Sequence, residues 1–199
     1  MRIVIHPTHP QSRNIDKVAD IIRNGGVVIY PTDTVYGLGC DAHQKKPIER
    51  IYQMKQMKRE HPVSVVCYDL RNIAKYAYVD DYAYRIMRRL VPGPYTFVLR
   101  ATRDAPRAVL RKQKTVGIRV PDHPVALALV EALGSPLIST SASVDGQQHN
   151  DPDELALRFK QADAVVDSGW GGLEPSTVID LTGDTAVVLR AGAGDVDVV

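Results

Sequence analysis

The sequence predicts a single α/β domain with a mixed parallel and antiparallel sheet flanked by helices. Three observations predict it. Short runs of strand character, such as 27–30, 63–67 and 95–100, alternate with segments of helical period. Two late strands, 176–181 and 186–190, face each other across Thr182-Gly183-Asp184-Thr185, so part of the sheet is antiparallel. No repeat, low-complexity stretch or linker divides the 199 residues, and we take 1–199 as one domain with a core at about 14–194. The chain is long enough to bury a core.

The elements follow in order. Arg2 to Ile5 reads as a first strand, and His6-Pro7-Thr8-His9-Pro10 as a stiff loop. Its two histidines have no third ligand nearby, which favours a surface loop over a metal site. Asn14 can cap a helix whose apolar positions Ile15, Val18, Ala19 and Ile22 keep helical spacing, with Gly25 and Gly26 as its stop. Val27 to Tyr30 is the central strand, and Pro31 ends it because proline gives no N–H to a ladder. Thr32, Asp33 and Thr34 then form a polar loop, read either as a hydrophilic turn or as a binding loop at a sheet edge. Gly37 and Gly39 allow a tight turn or a close approach to a bound group.

Pro47 suits the first turn of a second helix. Its apolar stripe of Ile48, Ile51 and Tyr52 continues onto Lys55, either a snorkelling lysine at a helix end or one aimed into a site. Lys58 and Arg59 make this end strongly cationic. Asp80 or Asp81 starts a third helix through Ile86, Met87 and Leu90, with Arg85, Arg88 and Arg89 on a solvated face. Pro92-Gly93-Pro94 breaks the chain before strands 95–100 and 115–120. Pro124 opens a helix that Gly134 closes. A short strand from Pro136 runs into the polar loop Ser139-Thr140-Ser141-Ala142-Ser143, either an ordinary turn or an anion-holding loop. Asp151-Pro152-Asp153-Glu154 is a sharp helix start, and Ala164 to Val166 is a further strand.

Composition sets outer bounds. The net charge of +2 is too small to demand a nucleic-acid partner. Two cysteines, Cys40 and Cys67, suit free thiols in a reducing compartment, with a single disulfide still open. No apolar run approaches the ~20 residues of a membrane span, and the proline-broken start is unlike a signal peptide, so we expect a cytoplasmic protein without membrane contact. Gly37-Leu38-Gly39-Cys40-Asp41-Ala42 fits a loose dinucleotide fingerprint. Proline and three polar residues separate it from the strand, which excludes that reading. No P-loop is present, so phosphates would be met by side chains such as Lys55, Arg59, Arg119 and Arg190, or by a metal.

Four segments together resemble the YrdC/YciO family. They are Tyr30-Pro31-Thr32-Asp33-Thr34-Val35-Tyr36-Gly37-Leu38-Gly39, Gly117-Ile118-Arg119-Val120-Pro121, Ser139-Thr140-Ser141-Ala142, and Pro175-Ser176-Thr177-Val178-Ile179-Asp180 with Arg190 after it. The resemblance implies a single domain with a twisted mixed sheet and a large, positively charged concave surface. It implies synthesis of threonylcarbamoyl-adenylate from L-threonine, bicarbonate and ATP with release of pyrophosphate, serving tRNA modification. The alternative it carries is double-stranded RNA or nucleotide binding without efficient catalysis. ATP would enter with Mg²⁺ as a substrate complex, and no permanently bound cofactor or resident metal is expected. The oligomeric state is left open.

Position by position, the resemblance places Thr34 beside the amino-acid substrate and Lys55 on the ATP phosphates. Arg119 falls near the threonine carboxylate. Ser139, Ser141 and Ser143 fall in the serine loop around nucleotide and substrate, Ser176 at the substrate, and Arg190 on the nucleotide side. Catalysis would rest on Lys55 and Arg119, and Arg59 would join the nucleotide contacts. The family pattern is Lys-x-Arg with a proline seven residues after the lysine, and Ser-x-Asn. Lys55 and Pro62 keep the first spacing, but Met57 and Ser143 stand at the arginine and asparagine positions, as in the YciO branch. A charged hydrogen bond contributes on the order of 1.5–3 kcal/mol, so each loss would weaken binding by roughly tenfold to a hundredfold.

Overall fold

The structure is a computed structural model that describes residues 1–198 apart from 59–60, 62, 111–113 and 145–146; the side chains of 108 and 144 also lie outside the description. The predicted α/β class is correct. In chain order the elements are β1 (Arg2–Val4), α1 (Ser12–Arg23), β2 (Val28–Tyr30), β3 (Gly37–Asp41), α2 (Lys45–Met54), β4 (Ser64–Val66), α3 (Leu70–Tyr76) and α4 (Asp81–Leu90). Then come β5 (Tyr95–Arg100), β6 (Thr115–Arg119), α5 (Pro124–Leu133), β7 (Leu137–Ser141), β8 (Ser143–Val144), β9 (Gln147–Gln148), α6 (Pro152–Arg158), β10 (Ala164–Asp167), β11 (Thr177–Asp180) and β12 (Val187–Arg190). Among the described residues none of the helices is long and apolar enough to cross a membrane.

Ten strands form one mixed sheet in the order β1-β10-β2-β3-β7-β4-β6-β5-β11-β12. Pairing is parallel for β1/β10, β10/β2, β4/β6 and β5/β11. It is antiparallel for β2/β3, β3/β7, β4/β7, β5/β6 and β11/β12. Side chains alternate between the two faces along each strand, and both faces carry an apolar core. One core joins Ile29, Leu38, Val65, Phe97, Ile118 and Ile138 to Ile51 of α2, Ile73 of α3, Met87 of α4 and Leu155 of α6. The other joins Ile3, Val28, Tyr30, Leu137 and Val166 to Ile15, Val18 and Ile22 of α1 and to Leu129 and Leu133 of α5.

The second core covers only part of its face, and the uncovered part positions the site. Following the register from Tyr30, its neighbours are Gly37 and then Ser141. In the next row Gly39, Ser139, Ser64 and Gly117 stand side by side. Arg119 lies beside Val66, and Thr96, Val178 and Arg190 form another row. Paired residues share a face, so a band of hydroxyls and guanidiniums continues where α1 and α5 stop.

Several helix ends follow local chemistry, whereas α1 and α2 begin without a side-chain N-cap. Asp80 caps α4 by accepting from Ala83 N at 2.8 Å, and Asp151 caps α6 by accepting from Asp153 N at 2.9 Å. Gly134 closes α5 in the left-handed region at φ 67°, where a side chain would be strained. Asn14 does not cap α1. The helix begins earlier, after Gln11, and the Asn14 amide instead donates to Val4 O at 3.0 Å. Four further expectations are corrected. Gly37 and Gly39 lie inside β3 rather than in a turn, Ser139 to Ser141 continue β7 rather than forming a loop, and α3 and the β8–β9 hairpin are additional elements. Cys40 and Cys67 are buried and free, and burial pushes both thiols up to about 12.

Candidate functional site

The polar band encloses a cavity of about 160 Å³ whose wall includes Tyr30, Thr32, Gly37, Ser64, Thr96, Arg119, Ser139, Ser141, Gln148, Ser176 and Arg190. Glycine at 37 and 39 is required by packing. A Cβ on Gly37 would stand 2.8 Å from the Tyr30 ring, and one on Gly39 would stand 2.9 Å from Ile138 O. The Tyr30 ring thus lies flat on β3, and its hydroxyl donates to Ser139 Oγ at 2.6 Å. Burial pushes the Tyr30 phenol up to about 12, so it stays a neutral donor.

The loop after β2 is held by its own hydroxyls. Thr32 Oγ1 donates to Val35 O at 2.7 Å and accepts from Thr34 N at 3.1 Å. This sets Asp33 against Arg119, with Asp33 Oδ1 2.5 Å from Arg119 Nη2 and the two side chains only 11% and 12% exposed. Arg119 Nε and Asp33 Oδ2 are buried without hydrogen-bond partners. Thr34 is 2% exposed, and its carbonyl accepts from Gly172 N at 2.8 Å. It is not among the residues that line the cavity, whereas Thr32 and Val35 are.

At the opposite wall Arg190 spans the β11–β12 pair. Its Nη2 donates to Ser176 O at 2.7 Å and its Nε to the same carbonyl at 3.2 Å. Ser176 Oγ shares a 2.8 Å hydrogen bond with Thr96 Oγ1. Burial, and after it the charge of Arg119, hold the Arg190 pKa below the usual arginine value. Two like charges therefore face one cavity, with Asp33 balancing only Arg119.

Lys55 approaches the serine rim from the end of α2, where it is the C-cap. Its ammonium donates to Ser141 O, and to Ser143 Oγ at 2.9 Å. Ser141 and Ser143 are joined by a 3.0 Å hydroxyl contact. Burial lowers the Lys55 pKa to about 8. The stripe-facing lysine is therefore aimed at the serines.

Among the residues expected from sequence, Arg119, Ser139, Ser141, Ser176 and Arg190 share the cavity wall, and Lys55 and Ser143 join it through Ser141. Thr34 sits in the adjoining loop. Arg59 and Pro62 lie outside the described residues. Sequence reasoning gave no site role to Tyr30, Ser64, Thr96 or Gln148, and placed Asp33 only in a candidate binding loop. Tyr30 and Asp33 were legible as the polar ends of the central motif. Thr96 and Ser64 were visible only as polar positions of period 2 inside apolar strands. Gln148 gave no signal. Among the described residues no group of three His, Cys, Asp or Glu is placed to hold a metal.

The family model described as Sua5/YciO/YrdC, telomere recombination, matches residues 20–192. The chain belongs to the Sua5/YciO/YrdC family. It is 46% identical over 196 residues to YciO of Escherichia coli K12, covering 96% of this chain and 95% of that protein. The crystal structure of E. coli YciO superposes with a TM-score of 0.95 at 44% identity, covering 100% of this chain and 98% of that one. Sua5 of P. abyssi complexed with L-threonine matches at a TM-score of 0.89 and 30% identity, covering 96% of this chain and 57% of that longer one. Threonylcarbamoyl-AMP synthase of Serratia proteamaculans is 32% identical over 175 residues, covering 84% of this chain and 92% of that enzyme. The family likeness thus spans both the YciO proteins and the synthases.

Proposed function

We propose that this chain is a nucleotidyltransferase of the threonylcarbamoyl-AMP synthase type, using L-threonine, bicarbonate and MgATP and supplying tRNA threonylcarbamoylation. One observation carries the reading. Arg119 and Arg190 line one cavity rimmed by serine hydroxyls, and Lys55, from a third element, is hydrogen-bonded to Ser141 of that rim. Cations and hydroxyls gathered in this way suit a reaction whose demand is to bring anions together. The synthases in the family and the L-threonine complex of Sua5 support the same choice.

In this mechanism the L-threonine amine condenses with bicarbonate to give a carbamate and water. A carbamate oxygen then attacks the α-phosphorus of ATP. An O–P bond forms, the bond from the α-phosphorus to the bridging oxygen breaks, and its electron pair leaves on pyrophosphate. Arg119, fixed by Asp33, holds the amino-acid carboxylate. Lys55 and Arg190 offset charge on the phosphates. Ser139 and Ser176 orient the amino acid, and Ser141 and Ser143 hold Lys55 in place. Sites for drug-sized ligands occupy on the order of 300–1,000 Å³. The cavity of about 160 Å³ therefore suits the amino acid and the reacting phosphate, with the rest of the nucleotide along the open sheet face.

The test is pyrophosphate release from MgATP by the pure chain, with L-threonine and bicarbonate each supplied or omitted. Release that requires both is expected. Release that ignores either, or none at all with MgATP still bound, would rule the reading out and point to a binding protein. Met57→Arg with Ser143→Asn should raise the rate if the site is a detuned synthase.

A further inference from the structure

The cavity wall contains an amide that the mechanism above leaves unused. Gln148 lines the cavity, and its Oε1 is buried with no hydrogen-bond partner. It lies on β9 directly opposite Ser143 of β8. Opposed residues of an antiparallel pair have Cβ atoms about 4.5–5.5 Å apart. Ser143 Oγ in turn accepts from Lys55 Nζ at 2.9 Å. Strand pairing therefore sets Gln148 beside Ser143, the hydroxyl that Lys55 meets, although four residues of chain lie between the two.

A glutamine amide offers two donors and one acceptor oxygen, and leaving that oxygen without a partner inside a wall is unfavourable. Rotation about its last bond exchanges the oxygen and the NH₂ group, so the amide can present either to a ligand. Its strand partner Ser143 meets a cation, Lys55, and the group that a cation attracts is an anionic oxygen. We infer that Gln148 is a further ligand-binding residue whose NH₂ donates to a phosphate oxygen held by Lys55. The inference rests on the nucleotide reading of this site. A substrate carboxylate offers the same oxygen chemistry, but the arginine assigned to that group, Arg119, is fixed by Asp33 elsewhere in the wall. The phosphate is the anion left for the lysine end.

Calorimetric titration of the full chain with MgATP, and separately with L-threonine, tests this for the parent, Gln148→Ala and Gln148→Glu, with thermal unfolding of each. Gln148→Ala should weaken MgATP about tenfold and leave L-threonine within about twofold. Gln148→Glu keeps the shape but sets a carboxylate beside the phosphate, and should weaken MgATP further. Loss confined to L-threonine would overturn the phosphate assignment. Equal loss of both ligands with a lowered Tm would mean a structural role and overturn it too. A parent that binds MgATP, with both variants binding it equally well, would sink the Gln148 role alone. A parent that binds no MgATP would sink the nucleotide reading and the role with it.

Discussion

Lys55 sets the pH behaviour of the site. Its pKa is lowered to about 8 by burial, so above that pH its charge fades, and MgATP affinity should fall. Lys55→Ala should bind MgATP roughly tenfold to a hundredfold more weakly and lose that pH dependence, both read by titration at pH 7 and pH 9. An affinity in the variant that still fell through pH 8 would assign the titration to another group. Stability moves the opposite way. The unfolded chain holds the lysine proton more tightly than the folded one, so the folded state gains stability as pH rises from about 8 toward the ordinary lysine value of 10.5. The Asp33–Arg119 pair is a second residue-scale device. Both side chains are nearly buried, so Asp33→Ala leaves an uncompensated guanidinium and should cost about 3–5 kcal/mol in urea unfolding. Asp33→Ala with Arg119→Met should recover part of that loss. A single variant as stable as the parent would show that the guanidinium finds another partner.

Elements explain why the site is shaped but not carried by its own caps. Asp80 caps α4 at 2.8 Å on the face of the sheet away from the cavity. Asp80→Ala should therefore cost about 1 kcal/mol of stability and leave pyrophosphate release unchanged, as checked by denaturation and the release assay on one preparation. A large fall in rate at unchanged stability would mean that α4 communicates with the cavity. The same scale separates what was legible from what was not. α1 was readable from Ile15, Val18, Ala19 and Ile22, because a helix buries residues at a period that composition exposes. Its start was not, since Asn14 looked like a cap while its side chain was needed by the carbonyl of Val4, a contact distant in chain. β3 was hidden because Gly-Leu-Gly-Cys-Asp has poor strand propensity. Its glycines are there for the Tyr30 ring, a cross-strand contact.

For the whole molecule, binding is a stability term. A ligand that binds only the folded state at a hundred times its Kd adds about 2.7 kcal/mol, which for a chain of 199 residues raises Tm by roughly 2–4 °C per kcal/mol. MgATP should therefore raise the Tm of the parent by about 5–10 °C, and of Lys55→Ala by much less at the same concentration. No shift in the parent at a saturating concentration would contradict nucleotide binding to the folded state. Domain class was readable at this scale from the alternation of elements. The ten-strand order was not, because it depends on which edges meet after the helices have packed.

By itself the sequence determined the α/β class, most helices and the motifs that carry the family resemblance. These depend on neighbours along the chain, through periodicity, proline, glycine and caps. The tertiary structure alone decided that Arg119 and Arg190 face one cavity with Lys55 bound to its Ser141 rim, that Asp33 neutralises Arg119, and that Gln148 stands across from Ser143. Those facts come from strand register and from partial covering of one sheet face by α1 and α5. Both are set by contacts between residues far apart in sequence, which no local pattern encodes.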